Sequence, residues 1–313
     1  MDGVLLVDKA AGITSAGVVR ALKGRVDPRK IGHLGTLDPF ATGLLPLCIG
    51  EATKVAQFLA AEDKGYTGRI RLGIETDTLD CTGRVLREGP VPAIDAGALD
   101  RLAREFRGAR LQTPPMFSAV KRAGVPLYRL ARRGIEVERA ARPIEVHDLT
   151  LRLAGEAEIE FHVECSKGTY VRVLAAEIGH ALGCGGHLTA LRRVRFGAFV
   201  IQDAHPLAVL EGMPGPALPV VPVRAALGHL RELVVPSHAG PLLRRGQQDS
   251  LANLPAPQAA GEAAKVLTSA GDLVAIVHGD EARGAWRVVR ILAGAPHANE
   301  TPEGKLYKPH PVC

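Results

Sequence analysis

The chain has 313 residues, 46% hydrophobic and 23% charged, with a net charge of +6 and a pI near 9.2. That length suggests about two domains with ample chain for a real core, and the composition is that of an ordinary soluble globular protein. No apolar run reaches the roughly 18 residues that a membrane helix needs. The five scattered cysteines form no Cys-x-x-Cys pair, against a disulfide framework and the usual zinc spacings.

Met1-Asp2-Gly3 runs straight into a strand-like segment, so no signal peptide is expected and the location reads as cytoplasmic. No Gly-x-x-x-x-Gly-Lys or Gly-x-Gly-x-x-Gly loop occurs, and nothing in the sequence demands a cofactor or a metal. The positive charge is unevenly placed. From Arg101 to Glu145 there are eleven Lys or Arg against four Glu, so one segment carries the whole basic excess. Such a segment suits a phosphate backbone, although an ordinary solvated basic face has the same composition.

In chain order, Val4 to Val7 reads as a strand, and Thr14 or Ser15 as the cap of a helix running through Leu22. Leu44 to Ile49 reads as a strand, Glu51 to Ala61 as a helix, and Thr67 to Gly73 as a strand opened by Asp63-Lys64-Gly65-Tyr66. Ala96 to Phe106 has helical spacing, and Ile144 to Leu153 and Glu158 to Cys165 alternate like paired strands. A helix follows Ser166 to Arg172 and ends at Leu182. Five prolines between Pro206 and Pro222 mark a boundary or hinge. Beyond them, Leu233 to Val235, a Leu243-Arg244-Arg245-Gly246-Gln247 turn, Leu273 to His278 and Trp286 to Leu292 suggest a small β module. Pro255 to Glu262 reads as a loose loop and the segment after Gly294 as a disordered tail.

The stretch from Lys30 to Pro46, KIGHLGTLDPFATGLLP, stands apart. Pro39 removes a backbone donor and pushes Asp38 out of the helical region, while Gly32, Gly35 and Gly43 permit unusual backbone shapes. Asp38 therefore sits on a bent, tightly specified loop with apolar flanks, and His33 is close by. A lone Asp-Pro usually means only an Asx-type turn. This much longer string resembles the Gly-His-x-Gly-Thr-Leu-Asp-Pro-x-Ala-Thr-Gly-Leu-Leu motif of the TruB family, tRNA pseudouridine synthases that act on the T-arm uridine. Asp63-Lys64-Gly65-Tyr66, the Thr76-Asp77-Thr78…Asp80…Gly83 turn, Cys165-Ser166-Lys167-Gly168-Thr169-Tyr170-Val171-Arg172 and Gly186 to Arg193 resemble further motifs of that family. Closely matched residues span roughly 3 to 200.

The resemblance implies an α/β fold with a mixed, mainly antiparallel sheet, in a catalytic domain over 1–222. An RNA-clasping insertion would lie at about 107–145, a β-rich, PUA-like RNA-binding domain over 223–294, and a tail over 295–313. It implies isomerisation of uridine to pseudouridine at tRNA position 55, with Asp38, Tyr66 and Arg172 catalytic. Asp38 would be nucleophile or base, Arg172 its cationic partner, and Tyr66 the ring that stacks on the target base. From the residues alone, Tyr66 could be a half-buried packing residue, and most acids of the 76–83 turn would bond their own loop. Lys9, His33, Tyr170, Leu191, Arg132, Arg133 and Lys121 complete the implied substrate-binding set. His33 would fill the gap left by the flipped base and Leu191 would line the pocket. Phe117 stands where the family pattern has Tyr, which removes a hydroxyl.

The expected partner is the tRNA T-arm, with the protein a monomer that needs no cofactor, membrane or obligate protein partner. Two rival readings remain within RNA biology: a guide-RNA-dependent synthase subunit, and a non-catalytic RNA-binding or RNA-folding protein. The intact Asp38, Tyr66 and Arg172 oppose the second. A metal-dependent hydrolase would need a clustered His/Asp ligand set that the sequence does not offer.

Overall fold

The computed structural model describes residues 1–27, 30–280 and 284–293. The expected tail over 295–313 lies outside the described residues. Strand β1 (Gly3–Lys9) leads to α1 (Ser15–Leu22), whose cap is Thr14, its hydroxyl accepting from Gly17 N at 2.9 Å. Next come β2 (Ile31–His33), β3 (Thr42–Ile49), α2 (Ala52–Ala60) and β4 (Lys64–Leu72). A short hairpin, β5 (Ile74–Thr76) with β6 (Val85–Glu88), precedes α3 (Ala96–Phe106) and β7 (Gly108–Gln112). The basic insertion holds the hairpin β8 (Lys121–Arg122) and β9 (Val125–Pro126), then α4 (Leu127–Ala131). The long pair β10 (Arg142–Gly155) and β11 (Glu158–Cys165) follows, then α5 (Val171–Ala181) and β12 (Gly186–Phe196).

One sheet gathers most of these strands in the order β14-β1-β3-β12-β4-β11-β10-β7. Strand β2 also pairs with β3, and β13 (Phe199–Val200) with β12. Among the described pairings of this sheet, only β1 with β14 (His205–Pro206) and β3 with β12 are parallel. The mixed, mainly antiparallel sheet expected from the resemblance is the one observed. Side-chain alternation explains its faces. In β4, Tyr66, Ile70 and Leu72 are buried while Arg69 and Arg71 face solvent. In α3, Leu99, Leu102, Ala103 and Phe106 form one buried stripe at helical spacing.

The unbroken apolar runs of β1 and β3 follow from burial on both faces. Leu5 and Val7 enter one core with Leu45, Ile70, Leu174 and Ile178. Val4 and Leu6 enter a second core with Leu44, Val55, Phe58 and Phe196. Two short runs missed by simple alternation are strands: β2, and β17 (Ala263–Thr268), where Lys265 interrupts the apolar pattern.

The proline-rich stretch is not a loose hinge. His205–Pro206 and β15 (Val220–Pro222) both pair with β1, on either side of helix α6 (Leu207–Gly212). Proline is tolerated there because the segments are short and lie at the sheet margin. After α7 (Val223–Ala226), a second sheet runs β16 (Arg231–Val235), β17, β18 (Leu273–Asp280) and β19 (Ala285–Ile291), with α8 (Ala239–Arg244) against it. A small β-rich C-terminal unit is therefore present. It is bound to the first sheet: Ile276 and Leu292 share the second core with Val55 and Phe58, and His278 meets the Phe58 ring edge-on at 5.5 Å. Truncating Phe58→Ala should cost about 3 kcal/mol or more, the usual range for a buried phenylalanine. Hydrogen exchange in β18 and β19 should rise with the loss. Unchanged stability and protection would show that this shared core does not hold the second sheet.

Candidate active site

The Asp38 loop joins two neighbouring strands, β2 and β3, and its shape is fixed by bonds from three directions. Ser15 Oγ donates to Leu37 O at 3.1 Å and accepts from Leu37 N at 2.9 Å. Gly12 N donates to Pro39 O, and Ala41 N closes a turn onto Asp38 O at 3.1 Å. Gly35 has φ +61°, and a Cβ there would lie 2.9 Å from the Phe196 ring; Gly43 has φ +98°, and a Cβ would lie 2.3 Å from Arg193 O. Only glycine fits either position.

Lys9 lies beneath the loop. Its side chain is fully withdrawn from solvent, and Nζ donates to the carbonyls of Ala10, Ile13 and Pro39 at 2.9, 2.8 and 3.2 Å. The structure places Lys9, expected to contact substrate, with its ammonium held among three carbonyls beneath the loop. Burial pulls its pKa down to about 8, against the opposing pull of Asp38.

Arg172, in the first turn of α5, brings three other segments together. Its Nε pairs with Asp38 Oδ2 at 2.9 Å, and its Nη1 donates to Thr78 O at 2.9 Å and Asp80 Oδ2 at 3.2 Å. Its Nη2 donates to Phe117 O at 2.8 Å. The helix start is itself pinned, because the Gln112 side-chain amide donates to Tyr170 O and accepts from Tyr170 N, at 3.2 and 2.7 Å. The missing hydroxyl at Phe117 therefore leaves this contact intact, since the residue takes part through its backbone carbonyl.

Asp80 is the partner that sequence reading missed. It does bond its own loop, its Oδ1 accepting from Thr78 Oγ1, Thr82 N and Thr82 Oγ1 at 2.8, 2.9 and 2.6 Å, but its second oxygen reaches Arg172. The residue before it, Leu79, has φ +63°, a costly conformation for a side chain with a Cβ. Leu188 N and O bond to Leu79 O and Cys81 N and hold that conformation in place. Two carboxylates thus share one guanidinium.

The Asp38 side chain keeps 36% of its exposure while Arg172 keeps 6%, so one side of the carboxylate is paired and the other is open. Burial pushes the Asp38 carboxyl above the ordinary carboxylate range; Arg172 and Lys9 pull it back, and Asp80 adds to the rise. The ionised form is thus favoured by two cations against the pull of burial.

Tyr66 on β4 is 7% exposed, and Leu191 on β12, opposite Gly68, is 7% exposed in the same core. Burial raises the Tyr66 pKa, Arg193 opposes the rise, and the Asp38 charge adds to it, which places hydroxyl and carboxylate within electrostatic reach. His33 is half-buried on β2, with a buried Nδ1 that has no hydrogen-bond partner and a pKa lowered by burial and by Arg193. Tyr170 is half-buried at the start of α5. Lys121 is exposed on the β8–β9 hairpin; Arg133 is exposed just after α4, and Arg132 lies 5.6 Å from the Tyr128 ring centroid. The structure thus gathers Asp38, Arg172 and Tyr66 and sets the three basic residues on the insertion. That insertion reaches the site through Phe117.

Comparison with known proteins agrees with this geometry. Residues 23–171 match the model of the TruB family pseudouridylate synthase N-terminal domain, and residues 172–214 that of the tRNA pseudouridylate synthase B C-terminal domain. The chain is 47% identical over 249 residues to tRNA pseudouridine synthase B of Aromatoleum aromaticum, covering 79% of this chain and 80% of that one. It is 48% identical over 251 residues to the protein of that name from Chromohalobacter salexigens, covering 79% and 81%. Among solved structures, a Cbf5-Nop10-Gar1 complex matches with a TM-score of 0.72 and 26% identity over 92% of this chain and 84% of that one. An H/ACA ribonucleoprotein bound to substrate RNA shares the fold, with a TM-score of 0.71 at 22% identity, covering 93% of this chain and 85% of its own. The family models together span more than half of the residues, and on that match and these identities the chain belongs to the TruB family of pseudouridylate synthases.

Proposed function

We propose that the chain converts uridine to pseudouridine in the T-arm of tRNA, at position 55, acting as a single chain without a guide RNA. The Asp38–Arg172 pair at 2.9 Å carries this reading, since it supplies an ionised, half-open carboxylate on a loop that cannot relax away. The naming of the relatives at 47% and 48% identity supports tRNA as substrate, while the likeness to guide-dependent assemblies rests on 26% and 22%.

In this reading the target nucleotide leaves the RNA stack and enters beside Tyr66 and Leu191. The ribose C1′–N1 bond breaks with Asp38 as nucleophile or base, the base turns, and a C5–C1′ bond forms. The C5 proton is released and N1 gains one, so atoms balance without a cofactor. Arg172 keeps Asp38 ionised and aimed, and Lys9 holds the loop beneath it. His33 occupies the vacated place in the RNA, with Tyr170 beside the base. Lys121, Arg132 and Arg133 on the insertion contact phosphates, and the C-terminal sheet adds RNA contacts as a PUA-like module. Release of tritium from C5-labelled uridine in tRNA tests the reaction directly. No release from a transcript that the protein binds would refute it.

Asp38→Asn should abolish turnover while leaving hairpin affinity unchanged. Its stability has a definite sign as well. The folded-state pKa of Asp38 is raised, so the folded chain holds that proton more tightly and loses stability as pH rises through the raised value. The Asn variant lacks that loss and should melt no lower than wild type at neutral pH. Multiple turnover by the variant would remove Asp38 from the chemistry.

Arg172→Lys keeps a charge but loses the fork that serves Asp38, Asp80, Thr78 and Phe117. With that support weakened the Asp38 pKa should climb further, so the acid limb of the single-turnover profile should move to higher pH. Superimposable profiles would show that Arg172 does not serve Asp38. For the insertion, neutralising Arg132 and Arg133 together should flatten the slope of log affinity against log salt by about 1.5. An identical slope would place the phosphate contacts elsewhere.

A further inference from the structure

Arg193 lies on β12, cross-strand from Tyr66 on β4, and it is 1% exposed. Its Nε donates to Leu44 O at 2.7 Å and its Nη2 to Gly35 O at 3.0 Å, and across the strand pair it faces Tyr66. It lies 5.1 Å from the centroid of the Phe196 ring, which also takes the Lys64 ammonium at 4.5 Å. Among the described residues no carboxylate within 4 Å pairs with it. A buried cation satisfied only by neutral oxygens is expensive, and structural needs alone are more cheaply met by an apolar side chain.

The oxygens it chooses are informative. Gly35 stands three residues before Asp38 and Leu44 two residues into β3 beyond the loop, while Tyr66 faces the guanidinium from β4, on the other side of β12 from β3. We propose that Arg193 is a positioning residue for the isomerisation, fixing the Tyr66 hydroxyl relative to the loop that carries Asp38. On this assignment the guanidinium, which can only donate, offers a proton to Tyr66 Oη, and the phenolic proton is turned away from Arg193. The same fork bonds both arms of the Asp38 loop, so ring and carboxylate keep one separation. The assignment rests on the reading of Tyr66 given above, and its test separates the two.

The test compares wild type, Arg193→Lys, Tyr66→Phe and the double variant for T-arm hairpin affinity and for single-turnover rate. Arg193→Lys should bind within about twofold of wild type yet react about tenfold more slowly, since a misplaced group costs rate more than binding. In the Tyr66→Phe background the same change should cost less than about twofold, because the hydroxyl through which it acts is already gone. Equal losses in both backgrounds would overturn the proposal and leave Arg193 as a loop brace. A wild-type rate for Tyr66→Phe would overturn it by a different arm, since the phenol would then have no part to be positioned for. Should Arg193→Lys not fold, nitrogen-15 spectra of the arginine side chains decide. The Arg193 guanidinium signals must shift between wild type and Tyr66→Phe, and unchanged signals would overturn the proposal.

Discussion

One guanidinium holds the site together. Arg172 carries donors in three directions, and each direction ends on a different part of the chain: the Asp38 loop, the turn at Thr78 to Asp80, and the insertion at Phe117. Lysine has no planar fork and could not join them at once. The arrangement favours an ionised Asp38 in a place where burial opposes charge, and it joins the basic insertion to the carboxylate by a single side chain. Asp80 gives the buried guanidinium a second carboxylate, and its charge adds to the rise in the Asp38 pKa.

The same economy recurs beneath the loop. Lys9, Lys64 and Arg193 are three buried cations whose hydrogen bonds end on backbone carbonyls. Lys9 favours the ionised Asp38 carboxylate, and Arg193 opposes the rise in the Tyr66 pKa. The loop glycines allow this crowding. Without Gly35 and Gly43 the backbone could not lie against Phe196 and Arg193.

Much of this could be read from the residues. Thr14 and the apolar spacing of Ala96 to Phe106 announced their helices, and the alternation in β10 and β11 announced a strand pair. The motif string singled out Asp38 before any geometry was known. What the sequence hid was distance along the chain. Asp80 lies 92 residues from Arg172 and Phe117 lies 55, and no local pattern links them. The acceptors that hold Lys9 were equally hidden, because one of them lies 30 residues away and becomes a neighbour only when the sheet forms. The prolines before Pro222 suggested a hinge, yet sheet margins tolerate proline and both short strands dock on β1. Strand β17 was masked by Lys265, whose ammonium is buried against Leu227 O and Glu232.

The central claim is that Asp38 is a carboxylate raised by burial and kept usable by its cations. A carbon-13 NMR titration of the Asp38 carboxyl in the free protein, with Asp38→Asn to assign the signal, tests it without reference to turnover. The account predicts a midpoint above the ordinary aspartate value, about 3.9, that rises further in Arg172→Lys. A midpoint at or below that value, or one indifferent to Arg172, would contradict it.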